Sequence, residues 1–329
     1  MALRLTGAFS DNPRVRPLID GTVKPQNIDL DFVIYPPQEI FDRNLRYDEF
    51  DFSEMSISDT LRAKEKGDGS RWNWSGLPVF MSKAFLWYNI CVNKSSGIEH
   101  LRDLRGKRVG TPDYANTASI WMRVVLQELY GIRPEDVTWY TRPRELGTAA
   151  EIGLAQDPPP GITLNWLNEG QTLDGMLKQG ELDAAFGFVP PTSSEAQTLP
   201  IRRLMEDEGR GVTGEFFQKT GVIPVNHVTI VQDRVLRDHP WAAIELYRAF
   251  QQSKQVAYER ARRQSFGLLL FEAKDFQDQA ATYGEDPFQL GIKANEKMLN
   301  LLFKNAFEQG LTKREIKIEE VFYPGILDT

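Results

Sequence analysis

The chain reads as a two-lobed α/β protein, and three observations predict it. Strand and helix patterns alternate from the first residues, which implies a mostly parallel sheet. The alternation breaks off and restarts at Gly106, the mark of a second α/β unit. A long helical stretch then closes the chain and is expected to pack back on the first lobe. At 329 residues there is chain enough for two domains of ordinary size. The expected division is 1–105 for lobe 1, 106–220 for lobe 2 and 221–329 for a return to lobe 1. The ligand cleft is expected between the lobes, where parallel strands present their carboxyl ends.

Leu3 to Ala8 opens as a strand, followed by a loop and a short helix through Pro17-Leu18-Ile19. Ile28 to Tyr35 alternates as a half-buried strand does, and Pro36-Pro37 stops it. Gln38 to Tyr47 carries helical spacing through Ile40, Phe41 and Leu45, and Phe50 to Met55 forms the next strand. A further helix starts in the Ser56-Ser58 turn, and Leu77 to Val92 reads as two extended runs leaving this lobe.

In the second unit, Arg108 to Gly110 is a strand ended by Thr111-Pro112. After the loop Asp113 to Asn116, Thr117 is expected to cap a helix that Gly131 ends. Strands at 137–141, 162–167 and 182–188 and a helix at 172–180 complete the unit, with a proline-rich loop at 157–161. A strand at 225–231 begins the return. Two long amphipathic helices follow, at 239–263 and 288–309.

Composition narrows the function. The net charge of −7 disfavours nucleic acid and anionic membrane as partners. Apolar runs fall short of a membrane span, and the amino terminus enters a strand without the features of a signal peptide, so a cytoplasmic location is expected. A single cysteine, Cys91, excludes an intrachain disulfide, and its apolar neighbours mark it as a buried, inert thiol. With no nicotinamide fingerprint, phosphate loop or metal-ligand spacing, neither a cofactor nor a metal is expected. Whether the chain forms a homo-oligomer stays open.

Several stretches together resemble one family. They are Arg16-Pro17-Leu18-Ile19-Asp20-Gly21, Phe50 to Ser56, Pro78-Val79-Phe80-Met81-Ser82, Gly106 to Trp121, Pro224-Val225-Asn226-His227 and His239-Pro240-Trp241. In this order, nearly end to end, they resemble the 4,5-dihydroxyphthalate decarboxylase family, whose members have the type II periplasmic-binding-protein fold. The resemblance implies a cofactor-independent carboxy-lyase acting on a hydroxylated aromatic carboxylic acid. A non-catalytic binding protein for a small carboxylate, or another lyase or hydrolase step on the same scaffold, remains as the alternative. Two stretches depart from the family pattern: Ser-Arg-x-Phe-Arg-His is replaced by Ser82-Lys83-Ala84-Phe85-Leu86-Trp87, and Tyr-Gln-Met-Thr-Ala by Tyr114-Ala115-Asn116-Thr117-Ala118. If Leu86 and Trp87 face the ligand, a less anionic or bulkier acid is expected to be preferred.

Decarboxylation of such a ring needs a proton for the ring carbon and groups that orient the carboxylate. Glu54, at the end of the third strand, and His227, inside a strand, are the candidate proton donors; an unperturbed imidazole titrates near ~6.5. Each also has an ordinary reading, as a turn-capping carboxylate or a hydrogen-bonded core histidine. Arg16, preferred over Arg14, and Lys83 are candidate carboxylate clamps. Thr117 and the N–H groups of Ala118 and Ser119 offer an anion seat at a helix start. Trp87 and Tyr114 are candidate stacking partners for a ring, with a place in the core as the other reading. Ser56 and Asn226, beside Glu54 and His227, complete the substrate-binding candidates.

Overall fold

The computed structural model describes residues 2–67, 70–142, 158–187, 198–205, 207, 209–264 and 272–329. The chain divides into two compact units. Unit 1 comprises Met1–Lys83, Val225–Phe303 and Ile316–Thr329; unit 2 comprises Ala84–Pro224 and Lys304–Glu315.

Unit 1 is built on a five-stranded sheet of β1 (Leu3–Phe9), β2 (Ile28–Ile34), β3 (Phe52–Ser56), β4 (Trp74–Lys83) and, much later in the chain, β11 (Val225–Gln232), in the order β2-β1-β3-β11-β4. β1 runs parallel to β2 and to β3, whereas β11 is antiparallel to both β3 and β4. The reversed strand has a direct consequence. Its first residues lie beside the carboxyl ends of β3 and β4, so one sheet edge gathers Ser56, Ser82, Lys83 and His227. Apolar side chains on the sheet pack against the helix Ala242–Gln264, with Phe9, Phe52 and Phe250 in mutual ring contact. Gly7 makes room for this cluster. A Cβ there would stand 2.4 Å from the Phe52 ring.

Unit 2 carries a six-stranded sheet of β5 (Ile90–Asn93), β6 (Arg108–Thr111), β7 (Thr138–Thr141), β8 (Leu164–Trp166), β9 (Ala184–Phe186) and β10 (Ile201–Arg203), ordered β10-β5-β9-β6-β7-β8. The helix Thr117–Tyr130 follows β6 and ends at Gly131, whose φ of 63° supplies the left-handed cap the sequence predicts. Its amino-terminal cap is Asn116, not Thr117: the Asn116 side chain accepts from the Ser119 N–H. Both residue types cap well, and the chain enters the helix one residue earlier than predicted.

Two further expectations need correction. The first boundary falls at 83/84 and not at 105, because β5 pairs with β9 and β10 and so belongs to unit 2. The closing helix begins at Glu296 rather than 288, and residues 304–315 return to unit 2. The helices Arg210–Thr220 and Glu272–Tyr283 were not foreseen from the periodicity. Asp157 of the proline-rich loop and Phe188 at the end of one expected strand lie outside the described residues.

Candidate functional site

Glu54 and His227 are 173 positions apart in the chain, yet the β3–β11 pairing brings them together. His227 Nδ1 lies 2.6 Å from Glu54 Oε1. The other carboxylate oxygen, Oε2, accepts from the Ser10 N–H at 2.9 Å and from the Ser10 hydroxyl at 2.6 Å. Glu54 is 1% exposed. Burial alone pushes its carboxyl up, but the bond and charge of His227, with the two bonds from Ser10, outweigh it and hold the group below the ordinary carboxylate range. As a carboxylate, Glu54 only accepts, so it keeps a proton on His227 Nδ1. The nitrogen left over is then Nε2, on a partly exposed ring that Phe41 braces edge-on at 5.0 Å.

The remaining candidates separate into those at this sheet edge and those elsewhere. Ser56 is opposite His227 in register and caps the helix Ile57–Glu65, where its hydroxyl also meets that of Ser58 at 3.1 Å. Asn226 is buried beside His227 in β11. Lys83 ends β4; its amine donates to Asn295 Oδ1 at 2.8 Å, and burial lowers it to about 8. Arg16 is elsewhere. It forms an exposed pair with Asp11, at 2.7 Å from Nε.

Arg14, the less preferred of the two arginines, lies against β4 instead. Pairing between β4 and β11 is irregular between Leu77 and Ser82, which leaves the Phe80 and Met81 carbonyls to accept from outside the ladder. Arg14 donates to both, and Asn12 Nδ2 donates to Met81 at 2.9 Å. Burial lowers the Arg14 guanidinium to about 10. Ser10, Asn12 and Arg14 all follow the carboxyl end of β1; the position rule for parallel strands was the signal that would have found them.

In unit 2, three candidates are placed otherwise than as ligand contacts. Trp87 is 1% exposed, packs edge-on against Phe85 and Phe216, and donates to Thr213 Oγ1 at 3.2 Å. With this burial Trp87 takes the place in the core that was its other reading, rather than that of a stacking partner for a ligand ring. Tyr114 is likewise buried, with the Arg123 guanidinium 3.8 Å over its ring and Trp139 beside it. Thr117 is buried at the helix start, and the Ser119 N–H of the expected anion seat already serves Asn116. Among the described residues no group of three or more His, Cys, Asp or Glu could hold a metal ion.

Two α/β units, each with its own sheet and joined by repeated passages of the chain, have the layout of the type II periplasmic-binding-protein fold. The periplasmic aliphatic sulphonate binding protein of Escherichia coli superposes with a TM-score of 0.54, at 13% identity over 100% of both chains. The ligand binding component of an ABC-type import system from Staphylococcus aureus gives 0.52, at 12% identity over 99% of this chain and 98% of that one. A family model of ABC-transporter phosphonate periplasmic substrate-binding proteins matches residues 15–150. Sequence relatives carry the identification further. A 4,5-dihydroxyphthalate decarboxylase of Comamonas testosteroni is 30% identical over 99% of this chain and 98% of its own length. One of Pseudomonas putida is 37% identical over 58% of this chain and 72% of its own. The chain belongs to the 4,5-dihydroxyphthalate decarboxylase family.

Proposed function

We propose that this protein is a decarboxylase of a hydroxylated aromatic carboxylic acid, with 4,5-dihydroxyphthalate as the first substrate to test. The observation that carries the reading is the 2.6 Å contact between His227 and a buried, Ser10-held Glu54. Sequence alone left the proton donor open between these residues; the geometry favours a division of labour. Glu54 is enclosed and fully bonded, so it orients and supports the imidazole. His227 has Nε2 left over, and an imidazolium there can give its proton to the ring carbon that bears the carboxylate. The bond from that carbon to the carboxylate then breaks and its electron pair restores the aromatic ring. Carbon dioxide departs and the ring keeps the proton. Ring hydroxyls assist by donating electron density to the carbon being protonated.

Measuring carbon dioxide release from 4,5-dihydroxyphthalate tests the proposal, with His227→Gln as the paired variant. Turnover by the wild type and a loss of about a hundredfold or more in the variant are expected, the scale of a lost general acid. Wild-type turnover in His227→Gln removes the assignment. A second reading, a non-catalytic carboxylate-binding protein, is favoured by the architecture shared with transport binding proteins. Tight binding of the acid without release of carbon dioxide would select it.

A further inference from the structure

Close to the Glu54–His227 pair, unit 1 holds a group of cations that the proton step does not use. Arg14, Lys83 and Lys254 share the vicinity of one carboxylate, Asp286. Asp286 is engaged by Lys254, which also donates to the Phe288 carbonyl at 3.2 Å. Neither Arg14 nor Lys83 has an ion-pair partner among the described residues. Lys83 is 9% exposed, and its single hydrogen bond there is to a neutral amide, Asn295, itself fixed by bonds to the carbonyls of Gln289 and Gly291. The Arg14 guanidinium lies 4.3 Å over the Phe288 ring and, among the described residues, donates to the neutral carbonyls of Phe80 and Met81, while the Arg14 carbonyl accepts from the Ser253 hydroxyl at 2.6 Å. Enclosed cations without an anion are costly to hold, and the geometry is that of a site with its counter-charge still to come.

We infer that Arg14 and Lys83 form a seat for the carboxylate that stays on the ring, a specificity site separate from the proton donor. The inference rests on the decarboxylase reading, and the chemistry decides which carboxylate it takes. Cations stabilise a carboxylate and do little for neutral carbon dioxide, so a pair of them on the departing group would raise the barrier. On the retained group their hold is equal before and after reaction, and it positions the ring without opposing bond cleavage. Arg14 donates to the Met81 carbonyl, one residue before Ser82, which lies opposite His227 in register, so the seat and the proton machinery share one end of the unit 1 sheet.

Binding can be measured apart from turnover. The probes are 3,4-dihydroxybenzoate, which keeps one carboxylate, and catechol, which has none, titrated calorimetrically into the full-length protein. The wild type is expected to bind the acid roughly ten- to a hundredfold more tightly than catechol, the scale of a charge-assisted contact. Arg14→Gln and Lys83→Gln should each reduce that ratio at least severalfold. Asn295→Asp supplies Lys83 with a permanent counter-charge of nearly the same shape and should reduce it as well, even if either other variant fails to fold. A wild-type protein that binds the acid no better than catechol, or does not bind it, overturns the seat. So does an unchanged ratio in folded variants, which would leave Arg14 and Lys83 as fasteners of the 286–295 loop. If the ratio behaves as expected but 4,5-dihydroxyphthalate releases no carbon dioxide, Arg14 and Lys83 stand as a carboxylate seat, and its assignment to the retained group falls with the decarboxylase reading.

Discussion

Arg123 and Arg14 each lack an ion-pair partner among the described residues, and the two guanidiniums are put to opposite uses. Arg123, in unit 2, is 1% exposed; its Nε donates to Gln309 at 2.7 Å, one terminal nitrogen donates to the Tyr114 carbonyl at 2.7 Å, and its flat face lies on the Tyr114 ring. It ties the turn before one helix to the segment that returns from the other unit's helical tail. Arg14, in unit 1, is only partly buried and has Lys83 and a titratable pair for company. The contrast shows that burial of a charge does not by itself mark a ligand site. What distinguishes Arg14 is its partial exposure and a second cation, Lys83, whose side chain donates to a neutral amide.

The largest expected effect tests the chemical side of that contrast. Glu54→Gln should lower turnover about a hundredfold while leaving substrate affinity nearly unchanged, because the support matters mainly in the transition state. It should also move the pH–rate profile, which a purely structural loss would leave in place. Steady-state kinetics across pH checks both.

Next in size is a stability experiment that separates the two arginines. Gln309→Leu leaves Arg123 Nε without its acceptor and should cost about 1–3 kcal/mol in urea unfolding, with ligand affinity untouched. Arg14→Gln should show the reverse pattern, a loss of acid binding with little change in unfolding. The comparison fails if both variants behave alike.

A smaller effect follows from Lys83. Burial lowers its amine from 10.5 to about 8, so between those values the unfolded chain binds more protons than the folded one. Stability should therefore gain from this group as pH rises across that window. Acid binding should change in the opposite sense, weakening as Lys83 loses its charge above about 8. Titration of 3,4-dihydroxybenzoate at increasing pH checks the sign, and Lys83→Gln should abolish the dependence. The smallest effect is at Trp87. Replacement by Phe removes the bond to Thr213 and should cost about 1 kcal/mol, with no change in ligand preference. A changed preference would return Trp87 to the ligand.

Much of the architecture was legible because it is local. Alternation in β2, the apolar spacing of Pro37–Tyr47 and Gly131 after the helix Thr117–Tyr130 each report on a few consecutive residues. Glu54 and His227 were legible as candidates because strand ends and an isolated strand histidine can be read from a single segment. Their contact was not, since it depends on β11 lying between β3 and β4. β5 was read into the wrong lobe for a similar reason, since its partners β9 and β10 lie far along the chain. Trp87 and Tyr114 were misjudged because an aromatic residue has the same one-dimensional signature in a core and in a ligand site. Arg14 and Arg16 are two positions apart around a turn, and only the free carbonyls of β4 tell which one turns inward. Asp286 and Asn295 come from a loop distant in sequence, with no motif to announce them.

The reversed central strand also sets an order of assembly during synthesis. All six strands of unit 2 lie within 90–203, so its sheet can pair completely while β11 is still unmade. Unit 1, whose first strands are made earliest, must wait. β3 and β4 have no shared neighbour, and Glu54 no imidazole, until residues beyond 224 leave the ribosome. The part of the chain born first is thus the part finished last, with an open sheet centre exposed in the interval. Contacts of such sequence separation close slowly, so unit 1, rather than unit 2, is where a nascent chain would most need protection from mispairing.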